Sequence, residues 1–419
     1  MITGGRREKC VYRLVRVDSS EIFFKADIPI YFRVQDKTTK GVGFEIYDWL
    51  NPSPAPRYAE SQITGIGHSF SNNLVKAKNG YFFLYTIETY EFSPNLFYHN
   101  HASPLSDGRP DRFLSATGPL QNESVINPQQ KDYFWGTAEL VKWKAYNGKE
   151  SEGIVYKPEN FDPKKKYPMI CYFYETLSDG LYNYLPPSPT PSRLNIPFFV
   201  GRGYVVFAPD IHYGTGHPGK DAYDYIVSGA RALVKKGYVD SSRIGLQGQS
   251  WGGYQVTYLI TVTNFFKAAW AGAPVVNMFS AYGGIRWESG LNRQFQYEHG
   301  QSRIGATIWE KPQLYIESSP LFKLPKVKTP LVIMSNDADG AVPWYQGIEM
   351  FTAMRRLGKQ VWLLNYNGEA HNLVERRNRK DIQIREQQFF DWQLKGDKPT
   401  RWLTEGVPAV KKGKDWGLN

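Results

Sequence analysis

The heptapeptide Gly248-Gln249-Ser250-Trp251-Gly252-Gly253-Tyr254 holds a serine between two glycines. A serine hydroxyl is a weak nucleophile. It reacts when a base takes its proton and when it stands clear of its own backbone. A strand that runs into a sharp turn and then a helix exposes a serine in this way. The flanking residues predict those parts: 243–247 reads as a short buried strand and 253–262 as a helix. Gly248 and Gly252 remove Cβ atoms that would collide across the turn. The N–H of Trp251, at the start of the new helix, points where an oxyanion would form. With 25 serines and 38 glycines in the chain, chance supplies about 0.2 copies of Gly-x-Ser-x-Gly, so the motif needs partners. A near copy, Gly67-His68-Ser69-Phe70-Ser71, lacks the second glycine and reads as a loop.

A serine so placed needs an imidazole as base and a carboxylate to orient it. On strand–turn–helix scaffolds the acid and then the histidine follow the serine in the chain. Of the seven histidines, His299 and His371 alone follow Ser250, and Asp337 and Asp339 are the two aspartates between Ser250 and His371. Both aspartates come just after the apolar stretch 331–335, read as a strand. His371 ends Asn367-Gly368-Glu369-Ala370-His371, just past a strand predicted at 361–366. Sites in open α/β sheets form beyond the carboxyl ends of the strands, so both loops should open on the edge that carries Ser250. His299 has no strand before it and reads as structural. A glutamate could serve in principle, but none is so well placed after a strand; spacing leaves Asp337 and Asp339 both open, with a slight preference for Asp339.

The elements that must position these residues follow from the pattern of the chain. Residues 1–138 read as all-β, with strands at 10–17, 21–26, 30–35, 43–50, 81–90 and 95–100 broken by turn residues. Propeller blades or a sandwich would both fit. His99 and His101 have no third ligand at metal spacing and read as loop residues. From 139 to 397 the pattern alternates. A strand–turn–strand at 141–157 is followed by strands at 167–174 and 204–208, a helix at 221–236 and the elbow. A strand at 268–271, a helix at 346–357 and a last helix at 381–394 complete the set. Alternation of this kind predicts a doubly wound parallel sheet covered on both faces. Residues 398–419 read as a polar tail.

Composition narrows the rest. The 419 residues are 41% hydrophobic and 22% charged, which suits a globular protein with two domains. The formal charge of +11 is spread along the chain without a nucleic-acid-binding motif, so it reads as a solvated surface and no nucleic-acid partner is expected. No uncharged apolar run reaches the length of a membrane span, and no apolar signal core follows Met1. Cys10 and Cys171 are the two cysteines, and a disulfide between them is not expected. No metal or cofactor is implied.

Taken together, Gly-Gln-Ser-Trp-Gly-Gly-Tyr, Asp339-Gly340-Ala341-Val342-Pro343 and Gly368-Glu369-Ala370-His371 resemble the prolyl oligopeptidase family of serine peptidases. The likeness extends through Tyr156-Lys157-Pro158, Lys166-Tyr167-Pro168, Gly203-Tyr204-Val205-Val206 and 237–244, and covers about 139–397. The resemblance implies an α/β-hydrolase doubly wound sheet preceded by an all-β partial propeller. It implies a triad of Ser250, Asp339 and His371, because the family's acid stands four residues before the position of Pro343. It implies that the Tyr174 hydroxyl joins the Trp251 N–H in the oxyanion hole. The implied activity is hydrolysis of peptide bonds in oligopeptides. An esterase on the same fold and a non-catalytic interaction protein are the alternatives. Three departures stand out: Glu175-Thr176-Leu177 replaces a Gly-Pro after the tyrosine, Ala341 stands where Arg or Asn is frequent, and no adjacent Glu-Glu pair occurs. Family propellers have seven or eight blades of about 40–45 residues, and 138 residues make about three. The expectation is therefore the carboxyl-terminal part of a longer family member, associating with itself or with the missing propeller portion.

Overall fold

The computed structural model describes residues 10–15, 30–47, 58–59, 69–70, 75–77, 82–100 and 121–419. The chain divides into two compact units, Met1–Tyr133 with Asp179–Leu185, and Phe134–Ser178 with Pro186–Asn419.

The first unit is antiparallel β-structure. β1 (Cys10–Val15), β2 (Ile30–Asp36), β3 (Val42–Tyr47) and β4 (Tyr58–Ala59) pair in chain order as a four-stranded sheet. β2 turns into β3 through Asp36, whose carboxylate accepts the N–H groups of Thr38 and Thr39, an Asx turn. A second sheet holds β5 (Ser69–Phe70), β6 (Val75–Lys76), β7 (Phe82–Glu88), β8 (Asn95–Asn100) and β9 (Gln121–Asn122). In β7 the period of two is plain: Phe83, Tyr85 and Ile87 are buried while Leu84 is exposed. The strands expected at 10–17, 30–35, 43–50, 81–90 and 95–100 correspond to β1, β2, β3, β7 and β8. The one at 21–26 lies outside the described residues, as do His101 and most of the stretch 67–71. Ser69 and Phe70 are not in a loop, because their backbones pair with Glu88 and Ile87. His99 lies in β8, its backbone opposite Phe83.

The second unit is built on an eight-stranded sheet. In chain order its elements begin with β10 (Thr137–Lys144), β11 (Glu150–Lys157), β12 (Tyr167–Tyr172), α1 (Ile196–Gly201), β13 (Val205–Pro209) and α2 (Pro218–Lys235). The elbow elements β14 (Val239–Gln249) and α3 (Trp251–Val262) follow, then β15 (Ala268–Gly272) and α4 (Met278–Tyr282). Next come a small hairpin of β16 (Ile285–Arg286) and β17 (Leu291–Asn292), α5 (Gln294–Glu298) and α6 (Pro312–Ser318). The chain closes with β18 (Leu331–Met334), α7 (Tyr345–Arg356), β19 (Val361–Leu364), α8 (Arg376–Phe390) and α9 (Arg401–Thr404).

Strand order is β10-β11-β13-β12-β14-β15-β18-β19. The sheet is mixed rather than wholly parallel. β10 and β11 are joined by a short turn, which forces them antiparallel, and β11 also runs antiparallel to β13. From β13 to β19 all neighbours are parallel. β13, β15 and β18 are buried along their whole length, as a sheet covered by helices requires. The chain passes from β12 to β13 on one side and then to β14 on the other. This reversal of direction is where open sheets form ligand sites. Residues 398–419, expected as a polar tail, contain α9, which buries Trp402 and Leu403. Trp402 Nε1 donates to Gln388 on α8, and Trp362 Nε1 on β19 donates to the Leu403 carbonyl.

Candidate active site

Ser250 sits between β14 and α3 with φ 61° and ψ −115°. A positive φ on a residue with a Cβ is a strained conformation that persists only when its surroundings impose it. Here they do: the Ser250 N–H donates to the Gly272 carbonyl of β15 at 2.8 Å, and the Tyr254 N–H closes the first helical turn onto the Ser250 carbonyl at 2.9 Å. A Cβ on Gly248 would lie 2.5 Å from the Gly252 backbone, across the turn. A Cβ on Gly252 would instead meet the carbonyl oxygen of Phe173 at 2.6 Å. The second glycine thus gives room for the backbone just past β12, the segment that carries Tyr174. The helix begins at Trp251 rather than Gly253. The Trp251 N–H therefore belongs to the first turn, whose donors have no partner within the helix.

Asp339 lies in the loop after β18, and His371 in the loop after β19. Asp339 Oδ2 is 2.7 Å from His371 Nδ1. Asp339 Oδ1 accepts the N–H groups of Ala341 and Val342, each at 2.8 Å. Both carboxylate oxygens are engaged, and the side chain is almost fully buried while that of His371 is partly open. Asp337 faces elsewhere. It accepts the Gly368 N–H and the Asn367 side-chain amide at 2.7 and 2.6 Å. Burial alone would raise its pKa, but these hydrogen bonds, with further ones from the Asn365 side chain and its own backbone N–H, outweigh burial and hold it below the usual carboxylate range. Asp337 thus braces the histidine loop from outside. His299 is exposed and points toward Glu298 at 3.7 Å.

Three residues that motif reading passed over hold the histidine loop. Gln249 Nε2 donates to the His371 carbonyl at 2.9 Å. Asn336 Nδ2 donates to the Ala370 carbonyl at 2.8 Å, and its oxygen accepts the Tyr366 N–H. The Glu369 carboxylate accepts the N–H groups of Val374 and Glu375 and the Asn378 amide. Gln249 stands inside the serine motif, and Asn336 and Glu369 lie beside the candidate acid and histidine. Their spacing signalled proximity without a role.

Ser250, Trp251, Tyr174 and His371 line one cavity of about 350 Å³. Tyr174 stands just beyond β12, which pairs with β14. Its carbonyl accepts from Gln255 Nε2 on α3, and its hydroxyl accepts from Gln301 Nε2 at 2.9 Å. A phenol that accepts there keeps its own proton for a second partner. A further part of the lining comes from the segment around β16, β17 and α5. Arg286, Gln296 and the buried Tyr297 line the cavity there. Arg293 is fully buried; its guanidinium donates to the Ala341 carbonyl and, at 2.7 Å, to the Tyr297 hydroxyl. Burial raises the Tyr297 pKa, while Arg293 and Arg286 pull it the other way. Among the described residues, no group of three or more His, Cys, Asp or Glu forms a metal-like cluster. No helix among them is long and apolar enough to cross a membrane.

Residues 190–397 match the model of the prolyl oligopeptidase family. The chain is 28% identical over 306 residues to the uncharacterized peptidase YuxL of Bacillus subtilis, covering 68% of this chain and 44% of that protein. It is 27% identical over 271 residues to the dipeptidyl-peptidase 5 of Porphyromonas endodontalis, covering 59% and 36%. It is 26% identical over 278 residues to the acylamino-acid-releasing enzyme of Rattus norvegicus, covering 63% and 38%. Among solved structures, the Porphyromonas gingivalis dipeptidyl peptidase 4 superposes with TM-score 0.66 at 18% identity, over 94% of this chain and 51% of that one. The Pyrococcus horikoshii acylaminoacyl peptidase gives 0.65 at 19%, over 91% and 56%. The chain thus spans about half the length of these structures and less than half that of the sequence relatives. The structural likeness carries the fold: an α/β-hydrolase sheet with antiparallel strands before it.

Proposed function

Residues 190–397 are a prolyl oligopeptidase family domain, and from that premise we propose that the chain is a serine peptidase acting on oligopeptides. The observation that carries the reading is the 2.7 Å contact of Asp339 with His371 Nδ1, made beside the cavity that Ser250 and His371 share. A carboxylate on Nδ1 holds the proton there and leaves Nε2 as the base. His371 then takes the Ser250 proton as Oγ attacks the peptide carbonyl. Asp339 stabilises the imidazolium without itself taking the proton. The developing oxyanion receives the Trp251 N–H and the Tyr174 hydroxyl, which Gln301 leaves free to donate. Collapse returns the proton to the leaving amine and gives an acyl-Ser250. Water, deprotonated by His371, then releases the acid product.

Digestion of a peptide library by the wild-type chain and by Ser250→Ala tests this. We expect cleavage by the wild type, and a loss on the order of 10⁴-fold or more in the variant. A folded Ser250→Ala chain that keeps most of the cleavage would remove the mechanism. Comparing ester with peptide turnover separates peptidase from esterase.

A further inference from the structure

We infer that the cavity beside Ser250 takes an acidic side chain, Asp or Glu, on the residue whose carbonyl is attacked, with Arg286 as its counter-charge. The inference rests on the peptidase reading and names the substrate class of that site. Its first support is charge. Arg286 is half-buried on the cavity wall and its backbone is fixed by pairing with Leu291 in the β16–β17 hairpin. No carboxylate lines the cavity, and among the described residues Arg286 makes no ion pair. Of the nearby acids, Glu298 bonds Tyr282 at 2.5 Å, Glu175 pairs with Arg303 at 3.2 Å and Asp339 meets His371, while Glu288 is exposed in the β16–β17 turn and is not among the residues that line the cavity. Behind the wall the buried Arg293 adds a second cation held by a carbonyl and a phenol, not by an acid. An unpaired cation in a partly desolvated cavity is unfavourable until an anion joins it.

The second support is the direction of the hydrogen bonds. A guanidinium can only donate. Arg286 Nη1 donates to Gln296 Oε1 at 3.4 Å, so the Gln296 amide is turned with its NH₂ outward, onto Gln301 Oε1 at 3.4 Å. Gln301 in turn donates to Tyr174. The polar wall is thus a relay that starts at a charge, passes from Arg286 through Gln296 and Gln301 to Tyr174, and holds no acidic acceptor. Val275 and Val342 close the remainder with short apolar side chains. A cavity of about 350 Å³ has room for one side chain carrying a carboxylate, and a guanidinium meets a carboxylate with two parallel bonds.

Two chromogenic peptide anilides identical except for Glu or Gln at the residue before the scissile bond provide the test. The anilide leaving group carries no carboxylate, so the comparison reads the acyl side alone. In the wild-type full chain, kcat/KM for the Glu substrate should exceed that for Gln by about tenfold or more. Arg286→Gln should bring the ratio to about one, and Arg286→Glu should shift preference toward the matching Lys substrate. Cleavage of Gln as fast as Glu by the wild type would overturn the inference and leave the peptidase reading standing. So would a Glu preference that survives in a folded Arg286→Gln chain. Absence of hydrolysis of every anilide, with no labelling of Ser250 by a fluorophosphonate, would instead remove the peptidase reading and this inference with it.

Discussion

Asp337 and Asp339 are two residues apart and differ in everything that matters for an acid. Asp339 is buried, meets the imidazole and is held by two backbone N–H groups. Asp337 binds Gly368 and Asn367. Asp339→Asn should lower kcat by about 10³–10⁴-fold, because the amide favours the wrong tautomer and removes the counter-charge. Asp337→Asn should cost far less, and steady-state kinetics of the two variants in parallel would reveal the reverse order if the assignment is mistaken. Tyr174→Phe removes the hydroxyl proposed as an oxyanion donor and should cost about 10²–10³-fold in kcat. A variant within a few-fold of wild type would show that the hydroxyl serves only its bond to Gln301. At this scale a candidate serine, a candidate histidine and a pair of candidate acids were legible from order and spacing, and Ser250 and His371 line one cavity. The choice of Asp339 came from the resemblance. Arg286, Gln296 and Gln301 were not legible, because their segment is irregular and carries no period that would place it beside Ser250.

The elements were readable where burial leaves an unbroken apolar run. β12, β13, β15 and β18 are such runs; α2 shows an apolar face, whereas α3 is buried nearly all round and carries no clear period. The antiparallel join of β10 and β11 to the sheet was not readable, since pairing partners are chosen by topology and not by local pattern. Nor was the docking of α9, where two buried side chains sit in an otherwise polar stretch. One buried charge belongs to this scale. Glu386 on α8 is fully enclosed; burial pushes its pKa up to about 8, against a smaller opposing hydrogen bond from Gln247 on β14. A carboxyl raised in the folded state favours folding fully below its unfolded value, and that contribution is lost as pH rises toward the folded value. Stability should therefore fall between about pH 4.5 and pH 8 by an amount on the order of a few kcal/mol. Glu386→Gln should flatten this slope and stabilise the chain at pH 8. Denaturant melts across that range that show equal slopes for both proteins would contradict the burial argument.

For the molecule as a whole, the first unit bears on association. Among the described residues its two sheets end in β1 and β4, and in β5 and β9 with β6 beside β5. Strand edges left uncovered pair with other chains. We expect light scattering of the full chain to give a mass above that of one chain. A monodisperse monomer would show that these edges are covered within the chain.

The account stands on an activated Ser250, and the most direct measurement is intact-mass spectrometry after exposure to a fluorophosphonate. We predict one adduct per chain, mapped to Ser250 and absent from Ser250→Ala, as expected when a base and an oxyanion hole activate one hydroxyl among many. A folded chain that remains unmodified, or that carries its adduct on another residue, would contradict the account.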